Sequence, residues 1–308
     1  MYKHLLKMAD LTKDDIFDIF ETAEKLKDYN KNKVSHYLLK DKTLGMIFAK
    51  SSTRTRVSFE VGMRQLGGSA LFLSANDLQL GRGEPIHDTA KTLSRYLDGV
   101  MIRTFAQQDV EDFAEYGSIP VINGLTDYAH PCQVLADLLT VKEYKLKNKN
   151  ANDFDKLKLC FIGDGFNMAN SLTVGGLNVG MSVAIANPKG NEISQAMKDF
   201  GAKFTGKFLF TNDVKEAAKD ADVLITDVWY SMGQENIAER REIFKNYKID
   251  ADLMKLAAKD AIVLHCLPAH KDEEISSEIF ALHENAIFDE AENRLHVQKA
   301  VMVKLMSE

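Results

Sequence analysis

The residues best suited to chemistry fall in short, widely separated stretches. The densest is Lys50-Ser51-Ser52-Thr53-Arg54-Thr55-Arg56, which combines hydroxyl, guanidinium and ammonium donors. It follows the apolar run Leu44–Ala49 and precedes helix-like sequence, so these donors would gather at a helix N-terminus. Unpaired N–H groups and a partial positive charge already favour an anion there. Charge-assisted hydrogen bonds contribute about 1.5–3 kcal/mol each, so three or four would hold a phosphate dianion tightly. A Ser/Thr cap followed by solvated arginines would give the same string, and this stretch alone does not separate the two.

Other strand ends and helix starts add to the case. Arg103 closes the run Val100–Thr104, and His130-Pro131-Cys132-Gln133 opens a long helix. His265-Cys266-Leu267-Pro268 closes Ile262–Leu264, and Arg294 stands near the expected start of the last helix. A single His or Cys at a strand end usually packs or caps. Four polar clusters, each at a strand end or a helix start, form a pattern that packing does not explain.

The elements that must position these groups alternate along the chain. Thr12 with Asp15 resembles a capping box, ahead of Ile16, Ile19, Phe20, Ala23 and Leu26 at helical spacing. Strand-like runs follow at Leu44–Ala49, Ala70–Leu73, Val100–Thr104 and Ile119–Ile122, with helices at Val57–Leu66, Asp88–Leu97, Val110–Tyr116 and Pro131–Tyr144. The stretch from Lys145 to Lys156, rich in Lys, Asn and Asp, reads as the passage between two halves. Strands are then expected at Leu159–Ile162, Ser182–Ile185, Val223–Thr226 and Ile262–Leu264, with helices at Ser171–Val179, Glu192–Phe200, Val214–Lys219 and Asn293–Met306. Continuous apolar strands separated by helices predict two doubly wound parallel-sheet α/β domains. They would span residues 1–144 and 145–292, with the helix from 293 packing back on the first, and an interdomain cleft would hold the active site.

Composition narrows the class. The chain has 308 residues, 45% of them hydrophobic and 27% charged, the balance of a folded globular protein of about two domains. Thirty-nine Lys and Arg against 45 Asp and Glu leave a net charge of −6, which argues against a nucleic-acid partner. Three cysteines without a CxxC pair exclude a disulfide framework and point to a reducing compartment. No apolar run suits a signal peptide or a membrane span, so a cytoplasmic location is expected.

Taken together, Ser52-Thr53-Arg54-Thr55-Arg56, His130-Pro131-Cys132-Gln133 and His265-Cys266-Leu267-Pro268 resemble the signatures of the aspartate/ornithine carbamoyltransferase superfamily, in order and at suitable separation. Asp227-Val228-Trp229-Tyr230-Ser231-Met232-Gly233 and Gly163-Asp164-Gly165-Phe166-Asn167 resemble the ornithine-specific branch. The resemblance implies carbamoyl transfer from carbamoyl phosphate to the δ-amine of L-ornithine, giving citrulline in arginine metabolism, without cofactor or metal. It implies that Ser52, Thr53, Arg54 and Thr55 take the phosphate and that Arg103 bridges phosphate and carbonyl. His130, with Thr55, would polarise the carbonyl, and Gln133 would hold the carbamoyl amide. Leu267 would offer its carbonyl, aided by a cis bond to Pro268, and Arg294 would close over the phosphate. Gln79, in the stretch from Asp77 to Glu84, resembles a loop that reaches a neighbouring subunit, and a homotrimer is implied. Asn167, Asp227, Ser231 and Met232 would hold the amino acid, with Cys266 beside the reacting amine to accept or relay its proton. The stretch from Ser231 to about Lys248 would act as a lid.

Rival readings are weaker. Gly163-Asp164-Gly165 suggests a dinucleotide turn, but Met168 stands where a third Gly or Ala belongs, and the next strand leads into Asn187-Pro188 instead of an acid. A two-domain binding protein gives no reason for His130 or Cys266. A metal site lacks a further ligand at suitable spacing from His265 and Cys266. An aspartate-accepting enzyme would place cations where Asp227 stands, and a putrescine enzyme has no carboxylate for Ser231-Met232-Gly233.

Overall fold

The structure, a computed structural model, describes residues 2–79, 83–147, 151–230 and 236–307. It contains two compact α/β units, one of Met1–Leu135 with Asn293–Glu308 and one of Ala136–Glu292.

The first unit opens with α1 (Lys13–Lys31). The Thr12 hydroxyl accepts from the Asp15 N–H while the Asp15 carboxylate accepts from the Thr12 N–H, which closes the expected capping box. Then come β1 (Thr43–Phe48), α2 (Thr53–Gln65), β2 (Ser69–Ser74), α3 (Ile86–Leu93), β3 (Gly99–Arg103), α4 (Gln107–Tyr116) and β4 (Val121–Leu125). The sheet runs β2-β1-β3-β4 with every pairing parallel. Ile47, Val100, Ile102, Phe113 and Val121 build a core on it. Helix α5 (Pro131–Lys145) starts in this unit and ends in the second.

The second unit contains β5 (Lys158–Ile162), α6 (Asn167–Val179), β6 (Ser182–Ala186), α7 (Gln195–Ala202), β7 (Phe208–Thr211) and α8 (Val214–Ala218). It continues with β8 (Val223–Thr226), α9 (Ile237–Phe244), α10 (Ala251–Met254) and β9 (Ile262–His265). Helix α11 (Ser277–Met306) begins here and ends in the first unit. This sheet is also parallel, in the order β7-β6-β5-β8-β9. Chain order therefore reverses between β1 and β3 in one sheet and between β5 and β8 in the other. In open parallel sheets, ligands bind beyond the strand ends at such a reversal.

Several boundaries differ from those read in the sequence. Helix α2 begins at Thr53 instead of Val57, because Ser52 caps it: its hydroxyl accepts from the Thr55 N–H. The fourth strand runs to Leu125 because Asn123 is buried and donates its amide to the Leu6 carbonyl, while the ladder slips at Gly124. A side chain at Gly124 would lie 2.4 Å from the Met101 sulfur, so one added there would force Met101 to move. Strand β7 and helix α10 are short and escaped the periodicity. The last helix starts sixteen residues earlier than expected, at Ser277 instead of Asn293, so Arg294 lies within it and not near its start. Its first half buries Ile279, Phe280, Ala286 and Ile287 on one face while Leu282 and Phe288, equally apolar, are exposed, which blurs the helical stripe.

The second half of α11 buries a cation. Lys299 is fully enclosed, and its ammonium donates to Gln65 Oε1 (2.8 Å) and His36 Nε2 (2.7 Å). His36 Nδ1 lies 2.7 Å from the Val34 carbonyl, so its proton sits on Nδ1 and Nε2 is free to accept. Burial brings the Lys299 pKa from 10.5 down to about 8. Between those values the unfolded chain holds a proton that the folded chain has lost, so stability rises with pH there. Urea unfolding of the wild type and Lys299→Met should show the wild type gaining on the variant, by on the order of 2 kcal/mol, as pH rises from 8 to 10.5. A pH-independent difference would contradict this reading of Lys299.

Candidate active site

In the first unit, the carboxyl ends of three neighbouring strands, β1, β3 and β4, carry the sequence candidates. β1 leads into Ser52, Thr53, Arg54 and Thr55 at the start of α2, β3 ends at Arg103, and β4 leads to His130 and Gln133 at the start of α5. Ser52 donates its hydroxyl to Thr55 Oγ1 (3.1 Å), and Arg294 Nη2 donates to the same oxygen at 2.8 Å. Thr55 is fully buried and Arg294 nearly so, which draws α11 into the cluster. His130 is buried, and its pKa is held well below the usual imidazole value, first by burial and then by the Arg294, Arg103 and Lys50 charges. Those three cations are therefore close enough to act on one ring, which stays neutral at pH 7 and can donate a single N–H. Arg54 is half-buried at the helix mouth. Cys132, inside the same motif, donates its thiol to the Asn123 carbonyl and belongs to the core. Gln79 is exposed, and its carbonyl accepts from the Glu84 N–H.

In the second unit, the same edge of β5, β8 and β9 carries the rest. Thr226 of β8 is in register with His265 of β9, so the next residue on each strand, Asp227 and Cys266, emerges side by side. Asp227 Oδ1 accepts from the Val228 N–H at 2.8 Å. The Cys266 thiol lies 4.0 Å from the Thr226 carbonyl. Its pKa is pushed well up by burial and then by the Asp227 and Glu290 charges, so it remains a protonated thiol. Asn167 opens α6 after the turn that follows β5, with its Oδ1 accepting from the Met168 N–H. Ser231 and Met232 lie outside the described residues, as does the first part of the expected lid; its later part holds α9.

Glycine at 165 shapes the β5 turn, because a Cβ there would sit 2.2 Å from the Glu192 carbonyl carbon. Asn187, after β6, donates to the Gly163 carbonyl (2.9 Å) and accepts from the Ile193 N–H (3.2 Å). The place where a dinucleotide site needs a ribose-binding acid is thus taken by a structural amide.

The sequence reading missed what holds Cys266 and Leu267. Leu267 adopts a left-handed φ of 54°, costly for a branched side chain, and its peptide to Pro268 is cis. Its N–H donates to His265 Nδ1 at 2.8 Å, which fixes the proton of that ring on Nε2, 2.9 Å from Glu274 Oε1. Glu274 also accepts from the His270 N–H, and Glu290 from the His265 N–H. Neither acid stands at a spacing that would have tied it to His265 in the sequence.

One expectation about metals needs correction. The fold brings Asp227 next to His265 and Cys266, with potential ligand atoms within 4.8 Å of one another. Both His265 nitrogens are committed, however, which leaves two donors where a catalytic zinc takes three.

Residues 3–143 match the model of the aspartate/ornithine carbamoyltransferase carbamoyl-P binding domain, and residues 155–305 that of the Asp/Orn binding domain. The ornithine carbamoyltransferase of Caldicellulosiruptor saccharolyticus is 53% identical over 306 residues, covering 98% of this chain and 97% of that protein. The solved ornithine carbamoyltransferase of Pyrococcus furiosus is 46% identical with a TM-score of 0.91, covering 99% and 97% of the two chains. The anabolic enzyme of Campylobacter jejuni is 45% identical with a TM-score of 0.89, covering 98% of each chain. Matched in both units and along nearly its whole length, the chain belongs to the aspartate/ornithine carbamoyltransferase family.

Proposed function

We propose that the protein transfers the carbamoyl group of carbamoyl phosphate to the δ-amine of L-ornithine, releasing L-citrulline and phosphate, as a step of arginine metabolism. The observation that carries this reading is the emergence of Asp227 and Cys266 abreast from β8 and β9, an anionic and thiol-lined setting for a cationic amino acid. An aspartate acceptor, with a second carboxylate, would be repelled there.

The first unit serves the donor. Ser52, Thr53, Arg54 and Thr55 bind the phosphate with the helix N-terminus, Arg103 spans phosphate and carbonyl oxygen, and Arg294 covers the phosphate while held to Thr55. His130, neutral in its cationic surroundings, gives one N–H to the carbonyl oxygen with Thr55, and Gln133 and the Leu267 carbonyl hold the carbamoyl amide. In the second unit, Asn167 and Asp227, with Ser231 and Met232, take the α-carboxylate and α-ammonium groups.

The acceptor must attack as a neutral amine. With a lysine-like pKa of ~10.4, this costs roughly 4–5 kcal/mol at pH 7, and exclusion of water reduces the cost. Cys266 retains its proton and so is not a resting base; its thiol orients the amine. The nitrogen bonds to the carbamoyl carbon, the carbon–oxygen bond to phosphate breaks, and the departing phosphate takes the proton. Fixed donors stabilise the charge that grows on the carbonyl oxygen and then on phosphate.

Val57, Val61, Leu71 and Phe72 are exposed on α2 and the edge strand β2, with Arg56 stacked 3.8 Å over the Phe72 ring. An apolar edge of this kind calls for cover. It supports a homotrimer in which copies share that face and Gln79 reaches a neighbour's site. Among the described residues, no helix is long and apolar enough to cross a membrane, and the reading is of a cytoplasmic enzyme.

Citrulline formation from carbamoyl phosphate with a panel of acceptor amines tests the function, with ornithine expected to exceed aspartate and putrescine by orders of magnitude. Arg54→Ala should lower turnover by ~10²–10³ at saturating carbamoyl phosphate with little change in melting temperature; near-native turnover would count against the donor assignment. Cys266→Ala should lower kcat/KM for ornithine by about tenfold and leave the acid limb of its pH profile in place. A displaced limb would make Cys266 the base. Phe72→Lys should shift the light-scattering mass from trimer towards monomer.

A further inference from the structure

Arg240, on α9, joins the segments that carry Asn167 and Asp227. Its Nη2 pairs with Asp164 Oδ2, its Nε donates to the Trp229 carbonyl at 2.6 Å, and its Nη1 reaches Asn191 Oδ1 at 3.4 Å. Asp164 precedes Asn167 by three residues in the turn after β5, and Trp229 follows Asp227 by two in the segment after β8. One planar fork therefore links the Asn167 turn to the Asp227 turn across the point where the strand order reverses. The guanidinium also lies 4.9 Å from the centre of the Phe244 ring. The paired side chains are 15% and 13% exposed, unlike the adjacent surface pair of Arg241 with Glu273, whose Arg241 side chain is 54% exposed. Solvated pairs contribute little, whereas an enclosed, multiply bonded guanidinium fixes geometry.

We propose that Arg240, braced by Asp164, is a positioning residue for the acceptor: it sets the spacing between Asn167 and Asp227 and thereby the affinity for the amino acid, without touching the donor side. This deepens the reading of the second unit as the ornithine half and rests on it. Asp164 Oδ1 is buried without a hydrogen-bond partner among the described residues, so Oδ2 and the Arg240 pair carry the contact. The charged groups facing Asp164 are Arg240 from α9 and Asp227 from the end of β8. Burial raises the Asp164 pKa to about 6, Asp227 adds to the rise, and Arg240 opposes it. Below that pH the brace carries a neutral acid, which is what Asp164→Asn imitates at every pH.

The test measures KM for ornithine and for carbamoyl phosphate on the full-length wild type, Asp164→Asn, Arg240→Lys and Arg240→Gln. At pH 8, Asp164→Asn should raise the ornithine KM about tenfold and leave the carbamoyl phosphate KM within about twofold, since a small misplacement of binding groups has effects of this order or larger. Arg240→Lys, which keeps the charge but loses the fork, should fall between the wild type and Arg240→Gln. The ratio of Asp164→Asn to wild-type ornithine KM should shrink towards one near pH 5, because the shared titration of the substrate amine cancels in it. If Arg240→Gln does not fold, the isosteric Asp164→Asn and the pH ratio carry the test. An unchanged ornithine KM in folded Asp164→Asn, a parallel rise in both KM values, or a pH-independent ratio would each overturn the proposal. A wild type that makes no citrulline would instead overturn the functional reading. In that event hydrogen exchange across α9 still decides on the brace, with faster exchange in Asp164→Asn supporting it and equal exchange overturning it.

Discussion

A parallel sheet delivers all its strands to the same edge, and here that constraint places every described site residue except Arg294 and Gln79. Side chains far apart in sequence become neighbours because hydrogen-bonded register leaves no alternative. Thr226 opposite His265 obliges Asp227 to stand by Cys266, and Phe48 opposite Arg103 brings the α2 cap beside the second donor arginine. Each unit places its chemistry on three adjacent strands that flank the reversal of chain order. The site is therefore placed by the same strand pairings that bury Ile162, Leu224 and Val263.

The two edges then diverge in charge. The first gathers Arg294, Arg103 and Lys50 around an imidazole that burial, and then their charges, hold neutral. The second sets a carboxylate against a thiol that burial keeps protonated. An isolated buried charge is costly, so each group persists by pairing: Arg294 with Thr55, His265 with Glu274, Arg240 with Asp164. The polar interior is a scaffold for the few groups that must meet a reactant.

Much of this was legible in the sequence, for identifiable reasons. Continuous apolar strands alternating with helices gave the architecture, and the Thr12–Asp15 box and the Ser52–Arg56 cluster announced themselves locally. The sequence failed where long-range partners decide the outcome. Asn123 and Gly124 look like a strand's end until Leu6 accepts the amide and a bulge absorbs the glycine. The early turns of α11 show no clean helical stripe, because Leu282 and Phe288 are apolar yet exposed. Glu274, Glu290 and Arg240 carry no local signal, since what matters is the atom each one meets after folding. Register, rather than spacing along the chain, brought Asp227 to Cys266.

The division between the compact units falls inside α5, after Leu135, and inside α11, after Glu292. A break in mid-helix strands amides on one fragment and carbonyls on the other, with no cap residues chosen to meet them. Chimeras with related enzymes joined at those points would thus inherit two frayed stumps, whereas crossovers placed in the strand-to-helix turns would keep every helix whole. The natural seams for exchange in this chain do not coincide with its domains.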